Sequence, residues 1–143
     1  MYRIVLLHCI AITIASACKC SNSSNAETVC SQDFVIKAQF NDVTEEDAIR
    51  GNLDHTRVIY SIETKEVFKG NDRYEAVENK ESIQTEKNAA ACGIDLDIAE
   101  EYIIAGYIED GTLRAHRCSW NQKWSDVSEE DKTHLYDNTF ACP

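Results

Sequence analysis

Alternating hydrophobic and polar positions dominate the chain after residue 30 and predict strands. In residues 57–68, the side chains of Val58, Tyr60 and Ile62 recur at every second position, and this period of two is typical of a half-buried strand. The β-branched and aromatic residues of 34–40 indicate an earlier strand. Three more strands are predicted at residues 82–87, 102–108 and 112–118, with a hairpin turn at 109–111.

Helices are predicted only around this strand pattern. Ser128 with Asp131 three residues later resembles a capping box and predicts a helix over residues 129–136. Residues 25–30 could form one or two helical turns. Loops and turns are predicted at residues 41–54, 69–72 and 88–93. Five short strands with peripheral helices indicate a mainly β fold. A small five-stranded closed barrel is favoured over a two-sheet sandwich.

Residues 1–17 have the pattern of a secretory signal peptide. A short positive region ends at Arg3, and the apolar run over residues 4–14 falls short of the roughly 20 residues that span a bilayer. Ala15 and Ala17 supply a cleavage site. A buried N-terminal strand or helix is one alternative, and a bacterial lipoprotein signal is another, although that signal usually has Leu where Ala15 stands. We expect a secreted, extracellular protein with a signal peptide at 1–17 and one domain at 18–143.

Cleavage after Ala17 would leave an even number of cysteines. Seven are present in the sequence, and the leader removes Cys9. Six remain: Cys18, Cys20, Cys30, Cys92, Cys118 and Cys142. An even count in a secreted chain predicts three disulfides, for which the spacing allows 15 pairings. A structural zinc site is the weaker interpretation, because the usual C-x2-C spacing is absent.

Charge and side-chain chemistry exclude several functions. Loss of Arg3 with the leader leaves 13 basic and 25 acidic side chains, a net charge of −12, which argues against nucleic acid or an anionic membrane as partner. The histidines His55, His116 and His134 are scattered, and all six mature cysteines are expected in bridges. We therefore predict that the chain is not an enzyme and has no cofactor of its own.

One N-glycosylation sequon is present in the whole sequence. It is formed by Asn22, Ser23 and Ser24, within a polar run that is predicted to be a loop. Whether Asn22 carries a glycan is left open by the sequon alone.

Several segments resemble the tissue inhibitors of metalloproteinases, specifically their N-terminal, netrin-like domain. They occur in order over nearly all of the mature chain. The segments are Cys18-x-Cys20, residues 30–40 (CSQDFVIKAQF), residues 67–70 (VFKG), Cys92-Gly93, residues 104–106 (IAG), Asp110-Gly111-x-Leu113, residues 118–120 (CSW) and Trp124-Ser125. Since the chain stops one residue after Cys142, it resembles a single-domain member.

The resemblance implies a fold and a set of bridges. The fold is a five-stranded barrel of the OB type, the netrin-like module. The implied disulfides are Cys18–Cys92, Cys20–Cys118 and Cys30–Cys142. Two of these would fasten the first three residues of the mature chain to distant parts of the domain.

The resemblance also implies a function. The α-amine and carbonyl oxygen of Cys18 would chelate the catalytic zinc of a metalloendopeptidase, of the matrix metalloproteinase or related metzincin type. Lys19 would enter the specificity pocket, with Cys20 and Ser21 continuing along the cleft and Ala90 and Ala91 filling its other side. We expect a monomer with no membrane span. The alternative function is a non-inhibitory netrin-like module that binds a matrix component or receptor.

Overall fold

The strands predicted from the alternating pattern form the centre of the molecule. The computed structural model describes residues 18–47, 56–140 and 142, so the predicted signal peptide lies outside the described residues. The strands within these ranges are β1 (Phe34–Asp47), β2 (Thr56–Gly70), β3 (Ser82–Glu86), β4 (Glu101–Glu109), β5 (Thr112–Arg114) and β6 (Asn121–Lys123). The helices are α1 (Asn25–Ser31), α2 (Asp72–Glu75) and α3 (Glu129–Asp137), with 3₁₀ helices at Ala89–Ala91 and Trp124–Asp126.

The strands form one sheet that curls into a partial ring. Their order is β1-β2-β3-β5-β4-β6, and β1 also pairs with β4. All pairings are antiparallel except β3 with β5, which is parallel and extends over two residue pairs. The mainly β fold with a ring of strands and peripheral helices is thus confirmed. The short strand β6 is a sixth strand that the sequence did not predict.

Several predicted boundaries are wrong. The predicted turn at 69–72 overlaps the end of β2 and the start of α2, and the predicted loop at 88–93 contains the 3₁₀ helix Ala89–Ala91. Residues 41–47 are not loop but the outer half of β1, where Asp42 pairs with Ser61 and Val43 with Tyr60. Residues 41–46 are exposed, so the polar sequence of this part of the strand resembles that of a loop. Residues 48–54 of the predicted loop lie outside the described residues. The strand predicted over 112–118 ends at Arg114, because the chain then turns towards a disulfide at Cys118.

Apolar side chains pack on both sides of the sheet. The interior cluster contains Phe34, Ile36, Phe40, Tyr60 and Ile83, all buried. A second cluster lies between the outer surface of the sheet and the helices; its members include Val29 of α1, Val35, Ile103, Trp120 and Leu135 of α3. The alternation along β1 therefore directs Ile36 inwards and Val35 towards the helices.

Side-chain caps begin the two longer helices. Ser24 and Glu27 form a capping box at α1. At α3 the Ser128 hydroxyl accepts the Asp131 N–H at 3.1 Å, which is one of the two hydrogen bonds of the capping box predicted there. These caps satisfy N–H groups that have no partner within the helix. None of the helices in the described ranges has the length and apolar character that crossing a membrane requires.

A buried carboxylate joins the start of β1 to two neighbouring segments. Asp33 accepts the Ile108 N–H at 2.7 Å and the Asn71 side-chain amide at 2.6 Å, and Arg73 lies 3.0 Å away. Burial by itself raises the pKa of the Asp33 carboxyl, but these hydrogen bonds and the charge of Arg73 together hold that pKa below its ordinary value. The ionised carboxylate is therefore the form that the fold stabilises.

Candidate functional site

Three disulfides join all six cysteines of the described residues. The pairs are Cys18–Cys92, Cys20–Cys118 and Cys30–Cys142, with Cα–Cα distances of 5.1, 5.1 and 5.2 Å. They are the pairs that the family resemblance implies. The bridges span 74, 98 and 112 residues. In the chain-entropy model, each raises the free energy of unfolding by roughly 4–5 kcal/mol, because it lowers the conformational entropy of the unfolded chain.

Cys18 and Cys20 fasten one short segment to two places on the domain. Residues 18–24 have no regular secondary structure, and Lys19, Cys20 and Ser21 are exposed. The Sγ atoms of Cys18 and Cys118 lie only 3.7 Å apart, so the two bridges are in contact. The segment is held at both ends of a three-residue stretch, which fixes its direction as well as its position.

The two anchoring points are themselves joined. The Arg117 N–H donates to the Cys92 carbonyl oxygen at 2.8 Å. The segments that carry Cys92 and Cys118 therefore form one frame, and residues 18–20 lie bridged to it.

Local backbone geometry fixes the position of Cys92. The Asn88 side chain accepts the Ala90 N–H at 2.8 Å and caps the 3₁₀ helix. Cys92 then adopts a left-handed conformation with φ of 64°, which ends the helical turn. Gly93 packs so closely on Glu86 that a Cβ would overlap its carbonyl oxygen. A glycine is required at this position for that reason.

The chain after Cys92 is held by side-chain hydroxyls of the barrel. The Ile94 N–H donates to Thr85 Oγ1 at 3.1 Å. The Leu96 N–H donates to the Tyr60 hydroxyl at 3.1 Å. These bonds satisfy backbone N–H groups that pair with no strand. They also connect the segment after Cys92 to buried side chains of the barrel.

Asn121 and His116 fix the turn that carries Cys118. The Asn121 side-chain amide donates to the carbonyl oxygens of His116, Arg117 and Ser119 at 3.1, 3.4 and 2.9 Å. His116 Nδ1 accepts the Cys118 N–H at 3.1 Å, so the neutral ring carries its proton on Nε2. Burial lowers the pKa of His116, which favours this neutral form.

The bridge Cys18–Cys92 brings two exposed segments together. One segment comprises residues 18–21 and the other residues 89–92. We refer to these two segments together as the N-terminal ridge. Ala90 and Ala91 are exposed, and Cys18 is half-buried between the segments. No described residue forms a hydrogen bond or ion pair with the Lys19 side chain. The six residues predicted to contact a protease therefore lie on one continuous surface.

Two clusters of possible ligand atoms in the described residues lie at or beside the ridge. The sulfurs of Cys18, Cys20 and Cys118 lie within 4.8 Å of one another, as do Cys92, His116 and Cys118. Every one of these sulfurs belongs to a disulfide. Zinc is bound by thiolates rather than by disulfide sulfur, so these clusters do not fit a metal ion.

The residues that support the ridge were not predicted from the sequence. Thr85, Tyr60 and Asn121 contribute through single polar groups, and they lie far from Cys18 in the chain. The even count of cysteines predicted the bridges, and Cys92-Gly93 is one of the segments that carry the family resemblance. No comparable pattern marks the hydroxyl and amide partners.

This arrangement defines a disulfide-anchored, exposed segment on a barrel of the kind expected for a netrin-like domain, and comparison with known proteins gives the family. The family model described as "Tissue inhibitor of metalloproteinase" matches residues 16–142. The chain belongs to this family. Its members are inhibitors rather than enzymes, so the prediction that the chain is not an enzyme is confirmed.

Two curated relatives show the extent of the similarity. Metalloproteinase inhibitor 2 of Bos taurus is 35% identical over 127 residues, which are 85% of this chain and 55% of the relative. An NTR domain-containing protein of Margaritifera margaritifera is 26% identical over 58 residues, which are 41% of this chain and 39% of that protein. The chain thus spans about half of the first relative's length, and less of the second.

Proposed function

We propose that this chain is a secreted inhibitor of zinc metalloendopeptidases of the matrix metalloproteinase or related metzincin type. The observation that carries the proposal is that two disulfides anchor residues 18–20. These disulfides are in contact, with the Sγ atoms of Cys18 and Cys118 3.7 Å apart. Family membership and the similarity to Metalloproteinase inhibitor 2 support the same conclusion.

The proposed mechanism begins with signal-peptide cleavage after Ala17. A catalytic zinc that is held by three protein ligands keeps one position for water. In the cleaved protein, the free α-amine and carbonyl oxygen of Cys18 form a five-membered chelate with that zinc and displace the water. The inhibitor has no metal of its own; it coordinates the zinc of its target.

Anchoring explains how so small a ligand can bind tightly. A free amino acid must lose its rotational freedom before it can chelate, whereas Cys18 is already fixed by its bridge to Cys92 and by the neighbouring bridge at Cys20. A ligand that is ordered before binding loses less entropy on binding. The disulfides therefore contribute to affinity as well as to stability.

The exposed residues of the ridge extend the contact along the protease cleft. Lys19 follows the zinc ligand and enters the specificity pocket, where its ammonium must be desolvated or reach past the apolar walls to water. Cys20 and Ser21 continue along the cleft. Ala90 and Ala91, small and exposed, allow close approach on the other side.

An inhibition panel tests the proposal. The protein is secreted from a eukaryotic host, its start at Cys18 is verified by intact mass and N-terminal sequencing, and it is assayed against several zinc metalloendopeptidases. We expect inhibition of at least one, with one inhibitor bound per protease. A verified terminus with no inhibition across the panel contradicts the proposal and favours a netrin-like module that binds a matrix component or receptor.

A further inference from the structure

The sequon at residues 22–24 lies where the N-terminal ridge ends. Asn22 is exposed, and its side chain forms no hydrogen bond with any residue in the described ranges. The Ser23 N–H donates to the Ser21 carbonyl oxygen at 2.9 Å. This bond from residue i+2 to residue i closes a three-residue turn with Asn22 at its centre. Asn22 therefore occupies the apex of a tight, exposed turn.

We propose that Asn22 is an N-glycosylation site and that its glycan restricts which proteases can bind the ridge. The first part rests on the proposed secretion and the second on the proposed inhibition. The donor is an oligosaccharide linked to a polyprenyl pyrophosphate. Its C1–O bond breaks, a C1–Nδ2 bond to Asn22 forms, the amide nitrogen loses one proton, and the lipid pyrophosphate leaves.

We expect this modification to precede the folding of α1. In the folded chain the Ser24 hydroxyl accepts the Glu27 N–H at 3.2 Å and donates to Glu27 Oε2 at 3.1 Å. The sequon hydroxyl is thus engaged in the helix cap and is not free for recognition by a transferase. Transfer occurs on the nascent, extended chain, and the helix cap forms afterwards.

The position of Asn22 determines what the glycan covers. Cys20 lies two residues before Asn22 and is bridged to Cys118. The attachment point of the glycan is therefore fixed relative to the barrel. Cys18 lies beyond Cys20, next to Cys92 and the two alanines. A bulky, hydrated glycan therefore crowds the Ser21 end of the ridge and leaves the chelating residue uncovered. It narrows the range of targets and does not abolish inhibition.

Mass measurement tests the site independently of any inhibition. The wild type, Asn22→Gln and Ser24→Thr are secreted from a eukaryotic host, and intact masses are compared before and after peptide N-glycosidase. Ser24→Thr is the matched control, because threonine keeps both the sequon and a capping hydroxyl. We expect a glycan on the wild type and on Ser24→Thr and none on Asn22→Gln. Wild-type protein secreted at its unmodified mass overturns the proposal.

Inhibition constants test the restriction of targets. Glycosylated wild type and Asn22→Gln are compared against the protease panel, with the melting temperature as a check on folding. We expect Asn22→Gln to inhibit at least one protease tenfold or more tightly, with others unchanged. Equal constants for every protease overturn the restriction. A glycosylated chain that inhibits nothing in either form refutes the proposed function, and the restriction with it, while the mass result still supports the modification site.

Discussion

Cys18 and Cys118 belong to different disulfides, yet their Sγ atoms lie 3.7 Å apart. The contact means that the zinc-binding residue of the proposed mechanism is supported by both bridges, its own and that of Cys20. The two bridges at the ridge should therefore act together on inhibition rather than additively. A bridge at the ridge should affect inhibition, and a bridge elsewhere should affect stability alone.

Removal of the second ridge bridge should weaken inhibition beyond its effect on stability. In the double variant Cys20→Ala/Cys118→Ala, Cys18 remains bridged but its direction is no longer fixed. The double variant Cys30→Ala/Cys142→Ala is the matched control, because the two bridges span 98 and 112 residues and should each cost about 2–5 kcal/mol of stability. We expect at least a tenfold loss of inhibition from the first variant only, measured where both remain folded. Similar losses from both would contradict the directional role of Cys20.

Inhibition should weaken as the pH falls below the pKa of the α-amine. A terminal amine titrates near 7.7–8.0, and only its neutral form can coordinate zinc. Affinity should therefore fall about 40-fold between pH 8 and pH 6 for an amine in that range. Burial lowers the pKa of His116, so the titration of that ring overlaps this interval less than that of an ordinary histidine. A small synthetic zinc chelator, assayed in parallel, controls for titration of the protease; an affinity independent of pH after that correction would exclude the amine as ligand.

Lys19→Thr should tighten inhibition of proteases with apolar specificity pockets. The exposed Lys19 has no partner among the described residues, so it enters such a pocket at the cost of desolvating an ammonium, which we estimate at about 1 kcal/mol or more. Lys65→Thr, a lysine on β2 that pairs with Glu63, is the control substitution. Inhibition constants should improve roughly fivefold or more for Lys19→Thr and stay unchanged for Lys65→Thr. Unchanged or weaker inhibition by Lys19→Thr would show that Lys19 finds an acceptor or stays outside the pocket.

Asp33→Asn should destabilise the fold by about 1–3 kcal/mol, because an amide cannot accept from both the Ile108 N–H and the Asn71 side chain as the carboxylate does. The folded pKa of Asp33 is lowered, so its contribution is present above the unfolded pKa near 3.9 and is lost as the pH falls through the folded value. Denaturant unfolding at pH 7 and pH 3 measures both effects. The exposed Asp95→Asn is the control. A pH 3 to 7 stability difference that is the same in wild type and Asp33→Asn would contradict this assignment.

The strand pattern was predictable where one side of a strand is buried. Val58, Tyr60 and Ile62 are all nearly inaccessible to solvent in β2, as their alternation predicts. The outer half of β1 was not predictable in this way, because its backbone pairs with β2 while the side chains of residues 41–46 remain exposed. The strand β5 ends early because the chain turns towards the disulfide at Cys118. The pattern of hydrophobic residues around β5 does not indicate such a disulfide.

The candidate site was predictable in part for similar reasons. Six cysteines predict three bridges, but the 15 pairings could be narrowed only by the family resemblance. The contact between the two ridge bridges and the support from Thr85 and Asn121 depend on residues that are distant in sequence. Single hydroxyl and amide groups of this kind give no periodic signal.

The central claim is that the free α-amine of Cys18 binds the zinc of the target. Adding one alanine before Cys18, or acetylating its α-amine selectively, leaves all three bridges and the barrel interior unchanged. Removing the added alanine with an aminopeptidase provides the matched control. In the described residues Cys18 is held only through its bridge and the neighbouring sulfur contact, so the melting temperature should not change.

The decisive measurement is the inhibition constant of the alanine-extended protein against the most strongly inhibited protease of the panel. The proposed mechanism predicts a loss of at least about 2 kcal/mol, roughly 30-fold, because the central metal contact is removed. Activity should return when the alanine is removed. Full inhibition by the extended protein, with the extension confirmed by mass, would show that Cys18 serves only as a disulfide partner and would contradict the mechanism.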